Sequence, residues 1–416
     1  MKFEGVDVAV IGAGPAGMAA AVKAREEGAE RVLLIERQEE LGGLLHQCIH
    51  NGFGLLYFGE DLTGPEYARR FVEKVKDLNV EVLLGATVTH LGPQREIAVV
   101  SPQGTATFQP KAVVLAMGCR ERTRDQLGIP GGRPAGIFTA GTAQRLVNVE
   151  GFLPGRRVVI LGSGDVGMIM ARRLTLEGAK VEAVVEILPY VGGLIRNEVQ
   201  CLHDFHIPLM LRHTVTWIHG ERRLEGVTVA QVDEDRRPIP GTERDIECDT
   251  LLLSVGLIPE NELSKMAGVE LDPLTGGPVV DQWRQTTVEG VFAGGNVLHV
   301  HDLVDNCSWE AEIAAEGAVR FARGERAEGR EINLRPGRNI RYVVPQRLRG
   351  RGPATLFLRV QEMEEGVRVK VGDLWSKAFR VVKPSEQIRV DLGAEDLERL
   401  PEDVKEIEVT CERLKG

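Results

Sequence analysis

Two stretches of the chain share one pattern of apolar and polar positions. Val8 to Ile11 and Val158 to Leu161 are short, unbroken apolar runs, as expected for strands buried on both faces of a parallel sheet. Glycines follow each run at once. A helical segment comes next, then a second apolar run that ends in a glutamate. The pattern predicts strand, tight turn, helix and strand, twice over. Between the copies, residues 120–135 (RERTRDQLGIPGGRPA) are rich in Arg, Gly and Pro and read as a connection, with a helix expected over 139–148. After Gly324 the pattern changes to alternation. ATLFLRV, GVRVKVG, FRVV, QIRVDL and EIEVTCE predict short strands of a small β-sandwich or barrel.

The glycines give the repeated unit its chemistry. Gly12, Gly14, Gly17 and Glu36 of the first copy map onto Gly162, Gly164, Gly167 and Glu186 of the second, each pair 150 residues apart. The same offset relates Gly42-Gly43-Leu44 to Gly192-Gly193-Leu194, which marks an internal duplication. The first glycine makes the turn, the second lets a pyrophosphate approach the backbone, and the third lets the helix pack against the strand. The free N–H groups of the new helix then face the phosphates. A carboxylate at the end of the next strand accepts hydrogen bonds from a ribose diol. Two dinucleotide sites are expected. The alternative is a second copy that keeps the fold without a ligand, although nothing in its fingerprint is degraded. Glu186 favours NAD(H) over NADP(H), because a carboxylate repels a 2′-phosphate; Arg196 nearby works against that preference.

Composition narrows the classes. The chain has 416 residues, room for two to three domains of ~150 residues. Its 61 acidic against 51 basic residues and 5% aromatic content argue against nucleic acid or an anionic membrane as partner. No apolar run reaches ~18 residues, so no transmembrane segment is expected. The apolar N-terminus, interrupted by Asp7 and Lys23, reads as strand and helix rather than as a leader. Cys48, Cys119, Cys201, Cys248, Cys307 and Cys411 form no close pair. That excludes a CxxC dithiol, a zinc knuckle and a cysteine-bound iron–sulfur cluster, and the sparse cysteines suit a reducing cytoplasm. Arg335 to Gly352 is a basic island, read as a solvated linker in preference to a dock for an acidic partner or phosphorylated substrate.

Further motifs extend the picture. ERQEELGGLL follows the first copy, AMG stands at Ala116–Gly118, SVGLIPEN at Ser254–Asn261 and VEGVFAGGN at Val288–Asn296. Over about residues 5–325 this order resembles the two-domain flavoproteins of the pyridine nucleotide–disulfide oxidoreductase superfamily. GGLLHQCIHNGFG, GCRERTR, RPAGIFTAGTAQRLVN and NVLHVHDLVD look like a narrower subgroup. That subgroup is associated with anaerobic glycerol-3-phosphate dehydrogenase and, more distantly, with subunits of opine, amino-acid and hydrogen-cyanide-forming dehydrogenases.

The resemblance implies an α/β fold of two Rossmann-like dinucleotide-binding domains, the first discontinuous, plus a small C-terminal β-rich domain. The expected limits are 1–150 with 278–330 for FAD, 151–277 for NAD, and 331–416 for the last domain. It implies FAD beside Gly12, Gly14, Ala16, Gly17, Glu36, Arg37, Gly43, Leu44, Val88, Gly118 and Asn296. It implies NAD(H) beside Gly162, Gly164, Asp165, Val166, Gly167, Glu186 and Gly256. Asn296 departs from the family's acid at that place, but an amide oxygen still accepts a hydroxyl hydrogen bond. The following helix, with Asp305 or Asn306 as candidate cap, would favour an anionic reduced flavin. The family's redox cysteine pair is missing, so reduction through an internal dithiol is excluded.

The resulting expectation is an enzyme that passes a hydride between NAD(H) and FAD. It would be the NAD-linked subunit of a larger dehydrogenase, with a partner dehydrogenase or an iron–sulfur electron-transfer subunit. Three other readings stand beside it. Cys48, flanked by His46 and His50, could serve a peroxide or small-disulfide reductase, although a plain buried cysteine is favoured. The chain could instead oxidise an amine or opine directly, or be a non-enzymatic nucleotide sensor. Cys48, His50 and His301 are the catalytic candidates, the histidines as proton carriers beside the flavin. No metal is expected at His299-x-His301, because no further ligand shows a suitable spacing.

Overall fold

The computed structural model describes residues 3–326, 329–350, 352–401 and 403–414. Val8–Ile11 forms the strand its apolar run predicts and is the middle of five parallel strands. The order is Val291–Ala293, Ala112–Leu115, Val8–Ile11, Val32–Ile35 and Glu81–Leu83. Alternation along the central strand divides two cores. Val8 and Val10 pack with the helices Pro15–Glu26, Gly64–Asp77 and Val304–Ala322. Ala9 and Ile11 pack with a three-stranded antiparallel sheet, Thr87–Leu91, Ile97–Ser101 and Gly104–Phe108. Ala20, Ala21 and Ala24 on one helix and Ala311, Ala314, Ala315 and Ala318 on another are fully buried, and small side chains of this kind let helix axes approach.

Residues 120–258 repeat the scheme. Five parallel strands run in the order Ile137–Thr139, Thr250–Leu253, Arg157–Leu161, Lys180–Glu186 and Leu209–Leu211. A second antiparallel trio, His213–His219, Gly226–Gln231 and Arg244–Glu247, again lies in sequence between an edge strand of the parallel sheet and the strand that pairs with the central one. Neither trio is foreseen from the sequence, because the 150-residue offset lapses there and the strands are short.

The chain divides into two compact units, one running to Cys119 and resuming at Pro259, the other Arg120–Ile258. The sequence reading put these limits near 150 and 278. Hydrogen bonding accounts for the difference: Ile137–Thr139 adds to the second sheet beside Leu251–Leu253, so the connection and its helix Ala140–Asn148 join the second unit.

The C-terminal stretch is β-rich as expected. Five strands (Arg347–Arg349, Glu331–Pro336, Glu406–Arg413, Glu364–Val371, Trp375–Val382) and three more (Ile340–Val344, Ala354–Val360, Ile388–Leu392) bury a common core. The basic island is not a linker. It supplies two of these strands and the end of a third, and its arginines pair with acids, as in Arg335–Glu406, Arg338–Glu364 and Arg349–Glu331. Arg351 of that island lies outside the described residues.

One buried ion pair ties this region to the first unit's sheet. Arg284 is fully buried; its Nε donates to Glu310 at 3.0 Å and its second guanidinium nitrogen to the Thr355 carbonyl at 2.9 Å. Removing one partner of a buried pair strands the other charge, at a cost of about 3–5 kcal/mol. Arg284→Met should therefore lower the urea midpoint clearly, while Arg335→Met at the surface should leave it nearly unchanged. Equal midpoints for the two variants would refute the structural role given to Arg284.

Candidate functional site

The two glycine turns are built alike. Gly12 and Gly162 both have φ of +97°, a left-handed conformation that favours glycine. A Cβ on Gly12 would meet the Ala116 carbonyl oxygen at 2.5 Å, and one on Gly162 the Ser254 oxygen at 2.1 Å. A Cβ on Gly17 would stand 1.7 Å from the Gly12 oxygen, so this glycine is what lets the helix touch the strand. Gly14 is different: nothing lies within 4 Å of where its Cβ would be. Gly14 and Gly164 are the N-caps of their helices and neither has a side-chain cap, which leaves backbone N–H groups available for phosphate oxygens. Gly43 stands over this turn, where its Cβ would meet the Gly14 Cα at 3.0 Å.

The two glutamates end their strands beside the turns. Glu36 accepts from the Ala13 N–H at 2.7 Å through one oxygen and from the Gln38 N–H at 2.8 Å through the other. Among the described residues, each oxygen therefore keeps a lone pair for a diol. Glu186 is more heavily engaged. One oxygen accepts from both the N–H and the hydroxyl of Ser163, at 2.8 and 2.6 Å, and the other from the Leu188 N–H at 2.9 Å. Ser163 Oγ also accepts from the Gly192 N–H at 2.8 Å. The sequence reading missed Ser163; its place directly after Gly162 was the available signal.

The remaining expected residues fall around these turns. Ala16 is buried against Gly295, whose Cβ would stand 2.7 Å from that of Ala16. Arg37 is exposed just beyond Glu36, and Leu44 is 62% exposed. Val88 packs on the core beneath the sheet. Gly118 and Gly256 lie just beyond the strands Ala112–Leu115 and Thr250–Leu253, with φ of +72° and +101° and open space at Cβ. Gly167 donates its N–H to Ser254 Oγ at 3.1 Å, and Val166 packs on the second unit's core. Asp165 is committed to the loop beyond, accepting from the Leu194 N–H at 2.8 Å and Asn197 Nδ2 at 2.7 Å. Asn296 Oδ1 accepts from the His301 N–H at 3.0 Å, which leaves it one lone pair for a hydroxyl.

These features fit the groups expected. The unfilled space at Gly14, the uncapped helix start and the diol-ready Glu36 suit an FAD pyrophosphate and ribose. The second turn repeats the uncapped helix start, but a Cβ on Gly164 would meet Ser254 Oγ at 3.3 Å, and its glutamate is the more crowded.

Two expectations change, and one alternative, an activated Cys48, loses its support. The helix after Asn296 is Val304–Ala322, capped by Leu303 without a side-chain bond. Asp305 lies in its first turn, accepting from the Leu56 N–H at 3.3 Å, so neither Asp305 nor Asn306 is the cap. Burial pushes the Cys48 thiol up to about 12, the reverse of activation by its flanking histidines. His46 Nε2 instead lies at the Leu41 carbonyl, and His50 Nδ1 is 2.9 Å from the Asn51 carbonyl oxygen. The His301 ring does not line a cradle but is sealed inside with His299 and Glu310. Glu310, nine residues after His301 on the following helix, is the third member of this cluster, which sequence spacing did not reveal.

The family model for pyridine nucleotide-disulphide oxidoreductase matches residues 6–311. The chain is 30% identical over 313 residues to one subunit of an opine oxidase of Agrobacterium tumefaciens (strain Ach5), covering 70% of this chain and 61% of that protein. It is 30% identical over 308 residues to the ferredoxin–NAD(+) reductase subunit of a Pseudomonas putida benzene 1,2-dioxygenase system, covering 70% and 66%. The match thus spans about three fifths to two thirds of the length of these relatives. Among solved structures, the thioredoxin reductase of T. acidophilum superposes with a TM-score of 0.62 at 27% identity, covering 75% of this chain and 97% of that one.

Two substitutions separate packing from binding. Gly17→Ala should destabilise the fold by about 1–3 kcal/mol, because its Cβ overlaps a backbone oxygen. Gly14→Val should fold with a near-parental melting temperature yet lose the bound dinucleotide, as read by absorbance. A Gly14→Val protein that retains the dinucleotide would overturn the cradle assignment. For Cys48, the rate of iodoacetamide alkylation should keep climbing from about pH 8 to about pH 10, since only the thiolate reacts. A plateau below about pH 8 would contradict the raised pKa.

Proposed function

Because the chain belongs to the pyridine nucleotide-disulphide oxidoreductase family, whose members are FAD-dependent NAD(P)H oxidoreductases, we propose that it couples a nicotinamide nucleotide on residues 120–258 to FAD on the first unit. The observation that carries this reading is the pair of glycine cradles in a chain whose sequence has no closely spaced cysteine pair. FAD, when bound, supplies a two-electron centre able to take a hydride from the nicotinamide. The chain's own residues bind and orient. The helix starts behind Gly14 and Gly164 hold pyrophosphates, Glu36 and Glu186 hold ribose hydroxyls, and the free lone pair of Asn296 accepts from the flavin side chain. The start of helix Val304–Ala322 places a positive dipole end near negative charge on the ring.

NAD(H) is the preferred nucleotide in this reading, since Glu186 ends the second cradle where a 2′-phosphate would be repelled. Electrons leave or arrive through a partner, either a dehydrogenase subunit, with one acting on glycerol 3-phosphate as a candidate, or an iron–sulfur protein. Both relatives are named as components of larger systems, one of an opine oxidase and one of a dioxygenase with its ferredoxin, which supports a comparable role here. The free, mostly buried thiols suit the cytoplasm, and among the described residues no helix is long and apolar enough to cross a membrane. The raised Cys48 pKa counts against a single-thiol reductase.

The test is the visible spectrum of the purified protein, followed by anaerobic titration. A flavin spectrum should bleach with one equivalent of NADH, and at least about tenfold more slowly with NADPH. Cys48→Ser should bleach within about twofold of the parent rate. Colourless protein that cannot be reconstituted with FAD sinks the reading. Bleaching by an opine or amine alone would move the assignment to direct substrate oxidation, and tight NADH binding without bleaching would move it to nucleotide sensing.

A further inference from the structure

His299, His301 and Glu310 form a buried cluster that neither cradle uses. Glu310 Oε1 accepts from Arg284 Nε at 3.0 Å and faces His299 Nε2 at 3.1 Å. Its Oε2 accepts from the Gly295 N–H at 3.1 Å and faces His301 Nε2 at 2.8 Å. Gln387 closes the far side, with its amide oxygen 3.0 Å from His301 Nδ1 and its amide nitrogen 3.0 Å from His299 Nδ1. The two rings are 4.3 Å apart, with Phe357 edge-on to His301.

Hydrogen-bond arithmetic sets the charge. Burial alone would raise the Glu310 pKa, but His299, His301 and Arg284 hold it well below the usual carboxylate range, so it is an acceptor only. Both Nε2 atoms must then carry protons. The Gln387 amide offers one acceptor and one donor, so one Nδ1 carries a proton and the other does not. Turning the amide over exchanges the two rings without changing the count. The pair holds three ring protons and one positive charge. With the amide oxygen at His301 Nδ1 and the amide nitrogen at His299 Nδ1, His301 is the doubly protonated ring, and burial, which depresses the His299 pKa to about 4, agrees with a neutral His299.

The same count disfavours a divalent metal: two ligating Nε2 lone pairs would put protons on both Nδ1 atoms, and Gln387 can accept only one. The other groups facing the cluster leave its charge unbalanced. Asp302 pairs with Arg359, which also bonds the Tyr342 hydroxyl, and the charges of Asp281 and Arg389 oppose each other at Arg284. With Arg284 offsetting Glu310, one positive charge remains. It stands behind Gly295 and Asn296, the residues that adjoin Ala16 and the first cradle.

We propose that the His299–His301 pair, clamped between Glu310 and Gln387, is a redox-linked proton site that counter-charges the reduced flavin. This rests on the assignment of FAD to the first cradle. Reduction by NADH moves a hydride and two electrons onto the flavin, releases NAD+ and leaves one added negative charge. Reduction strengthens the pair's hold on its third ring proton; where the oxidised protein has released that proton, the pair takes one from solvent, so that one NADH and one proton are consumed per flavin. Oxidation returns the proton. Half-buried Gln387 lines a surface cavity with Lys377, Phe379 and Arg389, which gives the pair an outlet to water. Flavin reduction and proton binding strengthen each other reciprocally.

Two measurements test this. Nitrogen-15 histidine spectra of the purified protein near neutral pH should show three of the four ring nitrogens of His299 and His301 protonated. Anaerobic reduction by NADH in weak buffer with a pH indicator, from about pH 6 to about pH 9, should consume up to one proton per flavin within part of that range, with the reduced flavin keeping its anionic spectrum. His301→Gln should lose the uptake or the anionic spectrum. Gln387→Glu, at the outer edge, should move the uptake curve by about one unit to higher pH, as an added carboxylate holds the proton more tightly. The proposal is overturned if His301→Gln keeps both the uptake and the anionic spectrum. A parent protein with no uptake at any pH, or a stoichiometric divalent metal with both Nε2 atoms unprotonated, would also overturn it. If the protein binds no FAD, the assignment of the cradle fails and the coupling with it, while the nitrogen count still decides whether the pair holds its proton.

Discussion

The contact between Gly17 and the carbonyl of Gly12 sets the distance at which a helix can sit on the central strand. No larger side chain fits there. The closeness brings the helix's unpaired N–H groups to the tip of the strand, where the positive φ of Gly12 turns the chain away. Gly162 and Gly167 reproduce the arrangement with Ser254 as neighbour. Sheet order, the inward faces of the alanine-rich helices and the position of each terminal glutamate all follow from a helix held this close.

Duplication of the unit did not produce two equal sites. Glu36 has each oxygen bound once by backbone, whereas Glu186 is also bound by the Ser163 hydroxyl. A diol reaching Glu186 must share it with that hydroxyl or displace it. The first cradle therefore suits a ligand held permanently and the second a nucleotide that comes and goes. The outer fifth strand differs too. In the second unit it is Ile137–Thr139, which precedes the glycine turn in sequence. In the first it is Val291–Ala293, which comes after the whole of the other unit in sequence. That late return delivers Gly295, Asn296 and the helix Val304–Ala322 to the first cradle alone.

The same return buries charge. Glu310 sits at the crossing of the dinucleotide fold and the C-terminal sheets, bound by Arg284, two histidines and the Gly295 backbone. A carboxylate in that place would be costly with any of its four acceptor sites unfilled. The C-terminal region contributes Gln387 and the Thr355 carbonyl to this network, which gives it a definite part beneath the first cradle.

Local pattern alone carries the duplicated strand–turn–helix, the paired glutamates, the alternating C-terminal strands and the want of a cysteine pair. Each depends on neighbours a few residues apart or on a fixed repeat. Three things depended on chain segments meeting across long separations. Ile137–Thr139 joined the second sheet because its hydrogen-bonding edge was there, against a reading that ended the first domain at residue 150. Cys48 is held neutral by packing, which decides for the buried cysteine over the activated one that its flanking histidines left open. Glu310 meets His299 and His301 only because a helix folds back over the strand end, bringing Arg284 and Gln387 with it. Burial and the sharing of protons are properties of that assembled neighbourhood, and no spacing along the chain encodes them.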